Sequence, residues 1–244
     1  MKYLTISVDD GHPKDLIITD LLNKYDLRAT FYIPIKNPDR ELMGKSDILT
    51  ISKDFEIGGH TYNHRPLNRI HKKIVEKEIV DCKKCLEQLI GKPIISFCYP
   101  KGKFNKMIAG VVKDAGFLGA RTCMFFLNNF PKNPYFWGVS THATYESRVI
   151  QIRHAVLEKN FQGLINFFRT QKGCVDWVNQ FKFAVDHVEK YGGIAHLYLH
   201  SWEIHESDQW KRLESLFSFL SKKNLKRVTN GELFKLHSKR KAKS

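Results

Sequence analysis

The chain has 244 residues, 42% of them hydrophobic, enough to bury the core of one large α/β domain. No apolar run approaches the ~20 residues of a membrane span, and five cysteines, an odd number, argue against a disulfide framework and suit a reducing compartment. Forty Lys and Arg against 25 Asp and Glu leave a net charge of +15, which attracts polyanions or an acidic membrane face, but no aromatic-interleaved basic motif points to specific nucleic-acid binding.

Residues 3–8 are apolar and β-rich. They begin so near the first Met, and turn polar so soon, that no secretory leader is expected and a cytoplasmic address follows. Residues 14–25 carry Leu16, Ile17, Leu21 and Tyr25 at helical spacing. Residues 28–33 read as a second strand stopped by Pro34, and 55–58 as a short third. A long helix over 67–90 ends at Gly91. Cys82 and Cys85 lie in a segment whose apolar residues, Cys82 among them, recur at helical spacing, and with no second Cys pair they read as helix positions rather than half a zinc site. Strand 94–98, helix 105–115 and strand 117–121 follow. Residues 122–145 are irregular and read as a loop over the site or an insertion. Residues 146–190 read as mostly helical, with Phe161, Leu164, Ile165, Phe167 and Phe168 assigned to the core. A late strand over 194–200, an amphipathic helix over 207–222 and a short strand over 226–228 complete the chain. This alternation predicts βαβ units, parallel strands and a single domain over 1–237, with 122–190 partly inserted. Residues 238–244 read as a solvated basic tail.

Chemistry-bearing residues fall where strands end. Asp9-Asp10-Gly11 follows the first strand, His60-Thr61-Tyr62-Asn63-His64 the third, Tyr99-Pro100-Lys101-Gly102 the fourth, and His200 ends the late one. In a parallel barrel these ends open on one face. The His-x3-His spacing sets two imidazoles one helical turn apart, and Asp10 completes a three-ligand set that leaves room for water and substrate. A divalent metal there would activate water and polarise a carbonyl. Asp9 would act as base on that water, and His200 could protonate a leaving nitrogen. The N–H groups of the Tyr99–Gly102 loop could hold an oxyanion.

These motifs resemble, in order and over nearly the whole chain, the NodB-type polysaccharide deacetylases, a carbohydrate esterase family. The family's Asp-Asp pair, His-[Ser/Thr]-x-x-His, Pro-Gly loop and late Leu-x-His match Asp9-Asp10, His60-Thr61-x-x-His64, Tyr99-Pro100-x-Gly102 and, loosely, Leu197-Tyr198-Leu199-His200. The resemblance implies a distorted (β/α) barrel. It implies Asp9 as base, Asp10, His60 and His64 as metal ligands, His200 as acid, and Tyr99, Pro100 and Gly102 at the substrate and oxyanion position. The metal it implies is zinc first, with cobalt, nickel or iron as alternatives. The stretch His200-Ser201-Trp202-Glu203-Ile204 is similar to the branch found with surface-polysaccharide genes, with Trp202 and Glu203 shaping the pocket.

The departures concern what surrounds these groups. Many members place an Arg two residues before the Pro of the third motif, where it orients the catalytic Asp. Here that position is Cys98, and Arg121, at the end of the next strand, is the candidate replacement. Lys101 stands where an aromatic is more usual, either favouring an anionic substrate or simply solvated. The family's Asp that tunes the catalytic His has no clear match; Asp176-Trp177 agrees only in letters. His12 reads as a surface or indirect neighbour of the metal, and His196 as pointing into the barrel below the site. The implied reaction is removal of an N-acetyl group from an amino sugar in a saccharide or glycan intermediate, anionic or phosphate-linked in view of the basic surface. The alternatives are a same-fold C–N hydrolase for a small amide or an allantoin-like cyclic imide, and a glycan-binding barrel without turnover. The sequence specifies no oligomeric state.

Overall fold

The structure, a computed structural model, describes residues 1–241. Eight strands form one parallel sheet: β1 (Lys2–Asp9), β2 (Ala29–Ile33), β3 (Glu56–Gly59), β4 (Ser96–Cys98), β5 (Gly119–Arg121), β6 (Thr141–His142), β7 (Gly193–Leu199) and β8 (Lys226–Arg227). Their spatial order is β5-β4-β3-β2-β1-β7-β6. Strand β8 takes the edge of β1 at Tyr3 and Leu4, ahead of the pairing with β2 that starts at Ile6. The sheet curls into a distorted (β/α) half-barrel. Its open side is bridged by irregular chain: Ala120 N–H donates to Pro134 O, Thr122 N–H to Trp137 O, and Ser140 N–H to His196 O.

Strand alternation explains the interior. Side chains of period two put Leu4, Ile6 and Val8 of β1, Phe31 and Ile33 of β2, and Ala195, Leu197 and Leu199 of β7 into the main apolar cluster. The intervening residues face inward and are polar: Thr5, Ser7 and Asp9; Thr30 and Tyr32; His196, Tyr198 and His200. Both sets of β1 are buried, so the inward polar groups must pair with each other. They do. Thr5 Oγ1 and Tyr32 Oη bond Asn230, Ser7 Oγ bonds His196 Nε2 at 2.9 Å, and Asp9 meets Arg121 at the top.

The helices are α1 (Asp15–Lys24), α2 (Lys45–Asp54), α3 (Lys72–Ile90), α4 (Lys106–Asp114), α5 (Arg148–Leu157), α6 (Phe161–Arg169), α7 (Trp177–Tyr191), α8 (Ser201–Glu206), α9 (Trp210–Ser221) and α10 (Asn230–Lys241). Among the described residues none is long and apolar enough to cross a membrane. Helix α3 carries Cys82 fully buried, in a packing role, and all five cysteines are free thiols.

Three elements escape sequence periodicity. Helix α2 buries only Ile48, Ile51 and Ser52, too few for a clear apolar period. Strand β6 is two residues long and is defined by pairing to Leu197 and Tyr198 of β7. Helix α10 absorbs residues 238–241 of the stretch read as a tail; residues 242–244 lie outside the described ones. It is anchored by Leu233 and Phe234, which pack beside Trp137 and Tyr3. A fourth difference concerns α6. Of five residues assigned to the core, only Phe167 is buried, while Phe161, Ile165 and Phe168 face outward. Their mixed periodicity comes from a helix with apolar residues on both faces.

Glu56 ties α10 to the base of the sheet, accepting from Thr30 Oγ1 at 2.7 Å, Ser96 Oγ at 2.5 Å and Gly231 N–H at 2.9 Å. Glu56→Ala should therefore strand three donors and destabilise the fold by about 2–4 kcal/mol in urea unfolding.

Candidate metal centre and catalytic site

Each motif is delivered by a local backbone device. Asp9 continues the inward set of β1, and its neighbour Asp10 and the following Gly11 both adopt left-handed conformations, φ 78° and 63°. Asp tolerates that region and Gly prefers it. The turn separates two adjacent carboxylates, sending Asp9 toward Arg121 and Asp10 toward the histidines. After β3 the chain again turns through positive φ, at Thr61 and His64. The His-x3-His pair is therefore carried by a loop and not by one turn of helix, a correction to the spacing argument. The rings still meet, with centroids 5.0 Å apart.

Asp10 Oδ1 lies 3.0 Å from His64 Nε2 and 3.5 Å from His60 Nε2. All three residues are buried, and Asp10 Oδ1 has no hydrogen-bond partner. His60 Nδ1–H donates to Cys98 O at 2.9 Å, which leaves the Nε2 lone pair facing Asp10. One carboxylate oxygen and two imidazole nitrogens converging on a buried point, with the oxygen otherwise unsatisfied, fit a divalent metal of the N/O-binding kind. Burial works against ionising Asp10, but His60, His64 and His200 hold its carboxyl well below the usual carboxylate range.

Asp9 has a different environment. The fully buried Arg121 donates through Nη2 to its Oδ2, and Cys98 Sγ lies 3.5 Å from the same oxygen. Arg121 is itself sandwiched, its guanidinium carbon 4.2 Å from the Tyr198 ring centroid and 5.4 Å from that of Tyr32. Burial raises the Asp9 pKa, but Arg121, His60 and His200 outweigh it and the carboxylate stays ionised.

His200 follows β7 and starts α8. Its Nδ1–H donates to Glu203 Oε2 at 2.7 Å, and His142 Nε2–H donates to the same oxygen at 2.8 Å. The Nε2 atom of His200 is left facing the Tyr198 hydroxyl at 3.3 Å and Asp10 Oδ2 at 3.8 Å. Burial alone would lower the His200 pKa, but Glu203, Asp10 and Asp9 push it up to about 9. Trp202 Nε1–H donates to Asp10 Oδ2 at 2.9 Å.

Asp9, Asp10, His60, His64, His200 and Glu203 line one open cavity of about 390 Å³, together with Asp39, Arg40 and Lys101. The third motif contributes differently from its sequence reading. Tyr99 N–H is spent on Arg121 O, Gly102 N–H on Tyr99 O, and Pro100 has none. The Tyr99 ring packs on Phe97 and Phe104. Only Lys101 of this loop lines the cavity, and its ammonium pairs with Asp39 at 3.1 Å. His12 Nδ1 accepts from Lys14 N–H and does not line the cavity. Asp176 caps α7 and pairs with Arg212, away from His200. Nothing in the sequence singles out His142, because the stretch before α5 shows no alternation. The sequence marks Glu203 only as a pocket residue, although its i,i+3 offset from His200 at the start of α8 places the two side chains together.

Residues 1–120, about half the chain, match the polysaccharide deacetylase family. The chain is a relative of the NodB-type polysaccharide deacetylases. No curated protein matches the sequence. Among solved structures, the Xyl-CE4 domain of a multidomain xylanase from the hindgut metagenome of Trinervitermes trinervoides is 13% identical over 97% of this chain and 91% of that one, with a TM-score of 0.59. The peptidoglycan deacetylase PdaC from Bacillus subtilis is 18% identical over 99% and 94%, TM-score 0.58. A family 4 acetyl xylan esterase from Clostridium thermocellum, solved with a cobalt ion, is 16% identical over 96% and 91%, TM-score 0.58. At these identities the likeness concerns the fold, which extends beyond residue 120 to the whole chain. The match to a Streptococcus pyogenes deacetylase, PplD, takes in 54% of that protein, with a TM-score of 0.45.

Removing Arg121 would leave the Asp9 carboxylate buried without its cation. Arg121→Ala should cost about 3–5 kcal/mol in chemical unfolding. The pairing contributes stability above the unfolded carboxylate pKa and loses it as pH falls through the depressed folded value. The variant should therefore show a flatter loss of stability in acid.

Proposed function

We propose that this relative of the deacetylases is a metal-dependent hydrolase that removes an N-acetyl group from an amino sugar in a saccharide or glycan intermediate. The observation that carries this reading is the division of the two carboxylates. Asp10 joins His60 and His64 in one donor set, while Asp9 is held apart by Arg121 in the same cavity. Asp10, His60 and His64 would hold a divalent metal, zinc by the nature of the donors, which would supply Lewis acidity toward the acetyl carbonyl and a water. Cobalt in the acetyl xylan esterase keeps other divalent ions in scope.

The chain's own residues divide the proton work. Asp9, ionised and oriented by Arg121, accepts the proton of the attacking water. His200, protonated at Nε2 and fixed through Nδ1 by Glu203, delivers a proton to the leaving amine nitrogen. The Lys101 N–H, which makes no backbone hydrogen bond, replaces Tyr99 as the donor to a developing oxyanion. The cavity lining also holds Arg40, stacked on Trp202 at 3.8 Å and paired with Glu206, and Lys101, paired with Asp39; these cations are the basis for proposing an anionic or phosphate-linked sugar, which would compete with those carboxylates. Free thiols agree with a cytoplasmic setting.

Acetate release should be measured over N-acetylated amino sugars and, in parallel, ring opening of allantoin and cyclic imides. Acetate release from the sugars alone supports the reading; ring opening alone replaces it with the amide hydrolase. His64→Ala should lose bound metal by elemental analysis and activity together. Asp9→Asn should keep the metal and drop kcat by about 10²–10⁴-fold. Full activity in Asp9→Asn would remove it as base.

Glu203→Gln deletes the negative charge that raises His200. Since His200 must hold its proton to act, activity falls as pH rises through its pKa. The basic limb of the kcat profile should therefore move about one unit or more toward lower pH.

A further inference from the structure

Among the described residues, helices α5 and α6 leave a group of large apolar side chains exposed. On α6, Phe161, Ile165 and Phe168 recur at i, i+4 and i+7 and face outward, 66%, 48% and 53% exposed, while Gly163 and Phe167 take the buried face. Val149 and Leu157 on α5 are 75% and 68% exposed. The two helices form one hairpin. Only residues 158–160 separate them, and at the far end Arg148 Nη2 donates to Gly173 O at 3.0 Å, close to the Phe168 ring. The two helices thus adjoin at both ends of the hairpin.

The exposed charges on segment 145–172 are of one sign. Arg148, Arg153, Lys159, Arg169 and Lys172 are exposed. The segment 145–172 contains two acids, Glu146 and Glu158, and neither is exposed. Glu146 lies 3.7 Å from His154, and burial pushes the Glu158 carboxyl up to about 7, opposed by Lys103. The surface is tied to the site. Asn160 and Asn166 donate to Phe125 O and Phe126 O, and the Phe125 ring lies 6.1 Å from and parallel to His142, which shares Glu203 with His200.

We propose that α5 and α6 form a docking surface for an anionic lipid bilayer, set beside the catalytic cavity. Large apolar side chains ringed by Arg and Lys, with no exposed carboxylate, are the composition of a helix lying in a membrane interface. The apolar groups enter the headgroup boundary while the long basic side chains reach the lipid phosphates. A second copy of the chain would set like charge against like charge. A nucleic acid would leave Val149, Leu157 and Ile165 without a stacking role. The docking surface rests on these helices and not on the reaction assigned to the cavity.

The test is co-sedimentation of the full chain with vesicles of phosphatidylcholine alone and of equimolar phosphatidylcholine and phosphatidylglycerol. Wild type should pellet with the anionic vesicles and bind neutral ones about tenfold or more weakly. Phe161→Glu with Phe168→Glu, and separately Arg153→Glu with Lys159→Glu, should each weaken anionic-vesicle binding about tenfold or more, with the thermal midpoint and metal content of wild type. Lys239→Ser with Arg240→Ser should leave binding intact. Wild type that stays in the supernatant, double-glutamate variants that bind undiminished, or binding lost only in the Lys239/Arg240 variant would each overturn the proposal. So would a wild-type dimer dispersed by Phe161→Glu with Phe168→Glu, which would place a second copy on this face.

Discussion

Two adjacent buried carboxylates need cations, and the architecture at the top of this barrel follows from how they obtain them. In a low-dielectric interior Asp9 and Asp10 repel each other, and neither stays ionised unaided. The left-handed turn at Asp10-Gly11 points them in different directions. Asp9 receives the Arg121 guanidinium, whose own burial is compensated by that charge and by the Tyr32 and Tyr198 ring faces. Asp10 faces two imidazoles with its own Oδ1 left without a donor, which is where a metal fits.

The same logic continues down the barrel axis. Asp9 sits above the Ser7–His196 bond, which sits above Thr5, Thr30, Tyr32 and the start of α10 at Asn230. Burial and Arg121 push His196 down to about 3, so it is a neutral hydrogen-bonding group there and not a second charge. A satisfied polar column of this kind fixes strand register more sharply than an apolar filling would, because a one-residue slip would expose its donors to apolar surroundings. The positions of Asp9, Arg121 and His200 at the rim thus depend on groups several residues below them.

Much of the site could be read directly. Asp-Asp-Gly, His-x3-His and a strand-end His mark chemistry by residue type and by position after apolar runs. Arg121 could be named because the third motif carried Cys98 where an arginine was expected. The supporting groups were less legible. His142 comes from a two-residue strand in an irregular stretch, and its contact with Glu203 exists only because β6 pairs with β7. Tyr99 carries the motif's letter, but its N–H is consumed by Arg121 O, and Lys101 faces the cavity instead. Helix α6 misled for a related reason. Apolar periodicity reports that a face is apolar, not which of two apolar faces meets the core.

The sequence by itself determined the parallel α/β alternation, the strand ends that carry the candidate reactive groups, and the identity of three candidate metal donors and a separate carboxylate. Strand period, proline and glycine stops and turn chemistry are local properties, and they act within a few residues. Only the tertiary structure decided which cation each carboxylate receives, which backbone N–H remains free, and that Glu203 joins His200 to His142 while α6 turns Phe161 and Phe168 outward. Those outcomes depend on pairings between residues tens to more than a hundred positions apart, Asp9 with Arg121 and His142 with Glu203 among them. Such pairings are settled by the closure of the barrel and the burial it imposes, not by any neighbouring stretch of chain.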